Sequence, residues 1–214
     1  MLLKVLISAV VYLVSVSCFG QGLPDVSERK RLHVKYINHP NTVFELQHIP
    51  VCSNYGCKTI TNISITESQW KNILSYFSNT TNSAIAEREQ LRKAIGQIEL
   101  IAGEQTNTQY DLGGTFKIYA NIKSAKSEQM DCIDESTNTL LYLRLLNQNK
   151  KLKFHEILGL RSRGGLRAGY PHTAVLLKDN TSGQKFIIDS WFHGNGEPAE
   201  VVLYANWKRG WKPK

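Results

Sequence analysis

Apolar and polar residues alternate in three stretches of the first third of the chain, over residues 32–37, 43–49 and 58–65. An extended chain points successive side chains to opposite faces, so a two-residue period predicts β-strands. Residues typical of turns separate the three stretches. The pattern therefore predicts a small antiparallel sheet, in a β-rich N-terminal extension over about residues 30–65.

A helical period replaces the alternation from Thr66 onward. Thr66 and Gln69 have the spacing of a capping box, which predicts the start of a first helix. A second helix is predicted from near Ser83 to Gly103, since glycine commonly ends helices. Most of its charged residues are expected to face solvent. For three of them a buried polar site is the alternative: Glu87, Arg88 and Glu99.

The second half of the chain begins with a polar connection. Residues 106–127 are rich in Gly, Asn and Ser and predict a long loop. A third helix follows from Cys132 to about residue 147, and because it is apolar on several faces we expect it to be buried. Two apolar runs, residues 174–177 and 186–188, are joined by turn-forming residues and predict a β-hairpin.

Composition indicates one globular domain. The chain has 214 residues, of which 42% are hydrophobic and 21% charged, which excludes collagen-like, low-complexity and wholly disordered proteins. The net charge is +8, and this surplus favours an acidic partner. The basic residues are scattered, and their densest run, residues 29–31, is typical of a solvated arm. With no zinc-finger spacing and no RNA-recognition signature, we do not expect nucleic acid binding.

The first 20 residues resemble a secretory signal peptide. Lys4 precedes an apolar run over residues 5–16, and small residues follow. The run is short for a permanent membrane span. We therefore expect export to the periplasm or the extracellular space, with residues 21–214 as the mature domain. Cys18 lies in a segment similar to a lipoprotein processing site, so lipid anchoring stays open as an alternative.

Three cysteines remain once Cys18 is removed or lipidated. Cys52 and Cys57 are separated by Ser-Asn-Tyr-Gly, a turn-forming linker that lets the chain fold back, so we expect a disulfide between them in an oxidising compartment. Two free thiols are the alternative. Cys132 is then unpaired. The histidines near this pair lack the spacing of metal ligands, and we expect neither a metal ion nor a cofactor.

The start of the third helix carries the chemistry. Asp131 is placed to cap it and Asp134 follows three residues later, so Cys132 lies in the first turn. The positive end of the helix dipole there favours a thiolate, the nucleophilic form of cysteine, whereas the two flanking carboxylates oppose it. The alternative is a buried cysteine that only packs.

A histidine and an aspartate follow on the predicted hairpin. His172 opens its first strand and Asp189 ends its second, so antiparallel pairing can bring them together. Cys132, His172 and Asp189 are therefore predicted to form a catalytic triad. His155 and His193 are alternative bases, although His193 fits a ligand-contacting rim better.

Residues 130–192 resemble the core of transglutaminase-like and bacterial papain-like cysteine enzymes. The shared features are a cysteine at a helix start, the pattern His-x-Ala-Val-x-Leu beginning at His172, and Asp189 at the end of the next strand. The resemblance implies an α+β fold in which the helix bearing Cys132 packs on an antiparallel sheet bearing His172 and Asp189. The chain departs from the transglutaminase pattern in its acidic residues around Cys132 and in lacking tryptophans there.

The resemblance implies an exported cysteine hydrolase or acyltransferase that acts on amide bonds through an acyl-thioester. Its substrate would be a peptide, a protein or a cell-envelope polymer, and the positive charge favours an acidic one. The backbone N–H of Cys132 and the side chain of Gln129 are candidate oxyanion donors. The alternative function is a non-catalytic exported binding protein of the same fold.

Two basic segments are expected near the surface. Residues 161–167 predict a flexible connector, with a lid or a contact to an acidic substrate as the alternative. Residues 207–214 alternate aromatic and basic side chains, and we expect the tryptophans to pack on the core ahead of a solvated tail.

Overall fold

The computed structural model describes residues 25–39, 41–77, 82–116, 128–164 and 171–214. In chain order its elements are α1 (Val26–Asn38), β1 (Ile49–Ser53), β2 (Thr59–Ile63), α2 (Glu67–Ser75), α3 (Ala84–Thr106), α4 (Cys132–Gln148), β3 (His155–Arg163), β4 (His172–Asp179), β5 (Lys185–Asp189), β6 (Glu200–Leu203) and α5 (Tyr204–Lys208).

The strands form two antiparallel sheets, so the fold is α+β. β1 pairs with β2, and the second sheet has the order β3-β4-β5-β6, in which each strand lies beside its predecessor in the chain. β4 and β5 form the hairpin that the sequence predicts, with Val175 opposite Ile188. At the open end of this hairpin, the start of β4 lies beside the end of β5, so residues that are far apart in the sequence come close together.

The helix that begins at Cys132 is the centre of the molecule. α4 contacts β3, β4 and β5 of the larger sheet, β1 of the smaller sheet, and both α1 and α3. These neighbours cover both the apolar second half of the helix and its polar first half, which confirms the prediction of a buried helix. Its fully buried leucines are Leu140, Leu141, Leu143, Leu145 and Leu146.

Residues 32–37 form part of a helix, so the strand predicted there is wrong. α1 is capped by Asp25, whose carboxylate accepts the backbone N–H of Glu28 at 2.9 Å. His33 and Ile37 are both buried, and a separation of four residues places them on one helical face. An alternating pattern over only six residues is too short to distinguish a strand from a helix whose buried residues lie four positions apart.

Of the other two stretches predicted to be strands, one lies almost entirely outside a strand and the other contains one. Of residues 43–49, only Ile49 belongs to a strand, because β1 starts there. Residues 58–65 contain β2, which pairs with β1 as a small antiparallel sheet. The β-rich extension is therefore a helix followed by a two-stranded hairpin.

Both predicted helices of the middle segment are present. Thr66 and Gln69 form the capping box at the start of α2, and Ser83 caps α3. Gly103 does not end α3, because the helix continues to Thr106 and ends at Asn107 in the left-handed conformation (φ 59°). The Asn side chain makes this conformation accessible, so it replaces glycine in that role.

Cys52 and Cys57 form the predicted disulfide, with their Cα atoms 4.6 Å apart. The turn that joins them is tight, since four consecutive residues have positive φ: Asn54, Tyr55, Gly56 and Cys57. Cys132 is free and buried. The predicted division into one pair and one free thiol is confirmed.

Within the described ranges, no helix combines the length and the apolar character that crossing a bilayer requires. The signal peptide predicted over residues 1–20, including Cys18, lies outside the described residues.

Candidate active site

The start of α4 is fixed by a capping box and by the disulfide turn. The Asp131 carboxylate accepts the N–H groups of Ile133 at 2.9 Å and Asp134 at 3.1 Å, as predicted. It also accepts the N–H of Gly56 at 3.1 Å, and Asp134 accepts that of Cys57 at 2.6 Å. The disulfide loop thus holds the helix turn that carries Cys132.

His172 and Asp189 form the hydrogen-bonded pair that the predicted hairpin brings together. The register puts Asp189 diagonally across from His172, and a diagonal pair on one face is within reach of long side chains. His172 Nε2 lies 2.6 Å from Asp189 Oδ2, and the two residues are only 3% and 2% exposed. A carboxylate at this distance fixes the imidazole ring and leaves Nδ1 as the nitrogen available for chemistry.

Cys132 lies beside this pair without a hydrogen bond to it. The backbone N–H of Thr173, the residue after His172, donates to the Cys132 thiol, and the charge of Asp189 also reaches the sulfur. His172 Nδ1 is buried and has no hydrogen-bond partner among the described residues. The structure therefore places the thiol beside the residue that follows His172, and among the described residues no hydrogen bond joins the thiol to the imidazole. That the three residues act as a triad stays a prediction.

The environment of Cys132 keeps the thiol protonated. Burial raises the pKa of the Cys132 thiol to about 11, and the negative charges of Asp131 and Asp189 act in the same direction. The Thr173 N–H opposes them without reversing the shift. The helix start therefore does not lower the pKa of this thiol, because burial is the largest influence on it and the Asp131 carboxylate, which flanks Cys132, adds to that influence.

Trp207 completes the surroundings of Asp189. Its indole Nε1–H donates to Asp189 Oδ2 at 3.0 Å, the same oxygen that His172 contacts, and the side chain is fully buried. The prediction that the tryptophan packs on the core is confirmed, whereas its hydrogen bond to the triad was missed. The sequence shows an aromatic residue in an otherwise basic tail, and this pattern does not indicate which residue the indole N–H bonds.

Aromatic rings surround the imidazole. The ring centroids of Trp191, Phe192 and Trp207 lie 4.5, 5.3 and 5.7 Å from that of His172. Such rings exclude water and restrict rotation of the imidazole. They lie on the segments that follow β5 and β6, so the second half of the sheet encloses the base.

The basic segment before β4 is partly a strand. Arg161, Ser162 and Arg163 end β3, with Arg163 opposite His172, so a flexible connector is wrong for these residues. The Arg163 guanidinium lies 4.6 Å from the centre of the Trp207 ring and donates to the Trp207 carbonyl. Residues 165–170, which include residues 165–167 of the predicted loop, lie outside the described residues.

Gln129 is buried, and its side chain is bound to a neighbouring loop. Nε2 donates to the Tyr110 carbonyl at 3.1 Å, and Oε1 accepts the N–H of Leu112 at 3.1 Å. These bonds hold the amide against the loop that follows α3. Its role as an oxyanion donor stays a prediction.

The two alternative histidines belong to other environments. His155 Nδ1 lies 2.8 Å from the buried Glu87 carboxylate, and Arg88 joins Nε2 of this histidine to Asp179. Glu87 and Arg88 thus support the buried polar site given as their alternative. His193 is half-buried, with Nε2 2.8 Å from Glu200, on the segment that carries the aromatic rings.

Buried carboxyl groups lie beneath the triad. Ser190, the residue after Asp189, donates from Oγ to Glu135 at 2.7 Å and lies 3.0 Å from the Thr139 hydroxyl. Burial raises the pKa of Glu135 to about 7 and that of Asp111 to about 8, and the pKa of Glu99 lies well above its ordinary value for the same reason. Some of these acids therefore keep their protons near neutral pH.

One group of residues in the described part of the chain has the spacing of metal ligands. Cys52, Cys57 and Asp134 place a ligand atom of each within 4.8 Å of the others. The two sulfurs are joined in the disulfide, and the Asp134 carboxylate accepts N–H groups of the same turn. These atoms are already bonded in the oxidised protein and are not available to a metal ion.

Comparison of the chain with protein-family models, curated proteins and solved structures finds no match.

Proposed function

We propose that the protein is an exported cysteine enzyme of the papain/transglutaminase-like type that cleaves or transfers amide-linked acyl groups. The observation that carries this proposal is the buried His172–Asp189 pair, which leaves Nδ1 of the imidazole unbonded, while the N–H of the next residue, Thr173, donates to the free thiol of Cys132. A cysteine, a histidine and an orienting carboxylate are the groups that acyl transfer through a thioester requires.

In the proposed reaction the Cys132 sulfur attacks a carboxamide carbon while His172 Nδ1 takes the thiol proton. The C=O π electrons move to the oxygen, and the backbone N–H of Cys132, in the first turn of α4, is placed to stabilise the charge. Collapse breaks the C–N bond, and the leaving amine takes the proton from Nδ1. Water or a second amine then attacks the thioester and releases the thiol.

Because its raised pKa keeps the Cys132 thiol protonated, Cys132 and His172 do not form a thiolate–imidazolium pair before the substrate binds in the proposed reaction. His172 instead acts as the base that takes the thiol proton during the attack. A thiol with a pKa of about 11 is about 10⁻⁴ ionised at pH 7, so attack must be coupled to proton transfer. The unbonded Nδ1 is the acceptor for that proton. In this proposal the imidazole ring moves slightly toward the sulfur when the substrate binds. Hydrogen bonds between a catalytic base and its nucleophile often become short only in the substrate complex.

Peptides, proteins or envelope polymers are the proposed substrates, with acidic ones favoured by the net charge of +8. If residues 1–20 direct export, as we expect from the sequence, the protein reaches such polymers. The Cys52–Cys57 disulfide is compatible with an oxidising compartment. Lipid anchoring through Cys18 would restrict it to a membrane surface.

A second candidate is an exported binding protein of the same fold without turnover. The raised thiol pKa and the missing bond between Cys132 and His172 favour it. The two candidates differ in whether Cys132 forms a bond to an acyl group.

The test is turnover of a peptide library with and without a labelled primary amine, read by mass spectrometry. An enzyme gives new carboxyl termini or amine-labelled peptides, and Cys132→Ser and His172→Ala abolish both. His48→Ala is the matched control, because His48 is exposed and lies near Glu45 rather than near the triad, and it should keep activity. Binding of peptides with no change in their mass would favour the binding protein.

A further inference from the structure

Asp189 carries two hydrogen bonds on one oxygen. Oδ2 lies 2.6 Å from His172 Nε2 and 3.0 Å from Trp207 Nε1, and the residue is 2% exposed. A buried carboxylate is costly unless donors satisfy it, so the indole N–H is part of what keeps the charge in place. Arg163 adds a positive charge within electrostatic reach of the same carboxylate.

Trp207 is itself held from several directions. Its ring is fully buried in a small apolar cluster with Ala174, Leu176, Ile187 and Val202. The Arg163 guanidinium covers the ring and also bonds the Trp207 carbonyl. α5 has only five residues and no side-chain cap at its start, so packing around this ring fixes the helix in position.

We propose that Trp207 is a positioning residue for the triad, with Arg163 holding its ring. The indole N–H fixes the Asp189 carboxylate, which in turn directs Nδ1 of His172 toward Cys132. This inference rests on the proposed function, since it concerns the same site. It makes the last helix of the chain a part of the active-site structure, although that helix follows the triad in sequence.

The role predicts a change in pH dependence as well as in rate. Without the indole donor, Asp189 Oδ2 interacts more strongly with a protonated imidazole, so His172 should retain its proton to higher pH. The acidic limb of the rate profile then moves to higher pH. A loss of packing alone lowers stability without moving that limb.

The experiment measures alkylation of Cys132 by iodoacetamide across pH 5–10 in the full chain. Trp207→Phe is expected to slow the reaction at pH 7 about tenfold and to shift the acidic limb upward. Trp211→Phe is the matched control, because Trp211 contacts Phe192 and does not bond Asp189, and it should behave as wild type. Replacement of Trp207 by 3-benzothienylalanine removes the donor while keeping the shape, which separates the hydrogen bond from packing should Trp207→Phe fail to fold.

Two outcomes overturn different claims. If His172→Ala slows alkylation while both Trp207 replacements keep the wild-type rate and limb, only the positioning role is wrong. If His172→Ala itself leaves the rate unchanged, the proposed function fails first. A shifted limb in both Trp207 replacements and an unshifted limb in Trp211→Phe support the role.

Discussion

Replacing Glu135 with glutamine should remove much of the pH dependence of stability. Burial raises the pKa of Glu135 to about 7 from an ordinary value of 4.5, so the folded protein binds a proton that the unfolded chain has released. Its stabilising contribution is fully present below about pH 4.5 and is lost as the pH rises through 7. The difference between a pKa of 4.5 in the unfolded chain and one of about 7 in the folded protein corresponds to roughly 3 kcal/mol lost across that window.

The isosteric Glu135→Gln keeps an acceptor for Ser190 Oγ and has no proton to lose. Urea unfolding should show a slope smaller than that of wild type by about one proton between pH 4.5 and 7, or roughly 1.4 kcal/mol per pH unit. The charge of Glu135 also raises the pKa values of Glu99 and Asp111, so part of the difference in slope should persist above pH 7, where Glu135 is ionised in wild type. Glu104→Gln, at an exposed residue of α3, is the matched control and should keep the wild-type slope.

An unchanged slope in Glu135→Gln would refute this reasoning. It would mean that Glu135 is ionised in the folded protein at neutral pH, and that the buried carboxyl groups beneath the triad are stabilised in another way.

Three further changes test a buried polar network, a close helix contact and a helix cap by urea unfolding. Glu87→Ala leaves the N–H groups and the histidine it bonds without an acceptor and should cost about 3–5 kcal/mol, whereas exposed Glu89→Ala should cost under about 0.5 kcal/mol; equal costs would contradict the buried network. Gly96→Ala places a Cβ 2.6 Å from the Gly196 carbonyl, so it should destabilise by about 1–3 kcal/mol despite the higher helix propensity of alanine, and a stabilised variant would show that α3 is not packed this closely. Asp131→Ala removes the cap of α4 and should cost about 1–2 kcal/mol; a variant as stable as wild type would contradict the capping role.

Local signals in the sequence predicted the parts of the site that depend on neighbouring residues. The capping box of Asp131 and Asp134 fixes where α4 begins, and hence where Cys132 lies. The apolar runs after His172 and before Asp189 define a hairpin whose register brings the two together. In both cases a short-range rule sets the geometry, and the structure follows it.

Contacts between residues that are far apart in the sequence could not be predicted from those local patterns. Trp207 lies 18 residues after Asp189, and nothing in its own segment indicates the carboxylate it bonds. Residues 32–37 fit an alternating pattern by sequence, yet the cap at Asp25 and the burial of Ile37 make them helical. The pKa of Cys132 depends on how deeply α4 is covered, which tertiary packing decides.

The pH profile of Cys132 alkylation tests the central claim most directly. An unassisted thiol with a pKa of about 11 should react tenfold faster with each pH unit up to nearly that pH. We predict that wild type departs from this line, reacting at pH 7 at least tenfold faster than His172→Ala, which should follow it. Wild type and His172→Ala lying on the same rising line would contradict the claim that the imidazole activates the sulfur.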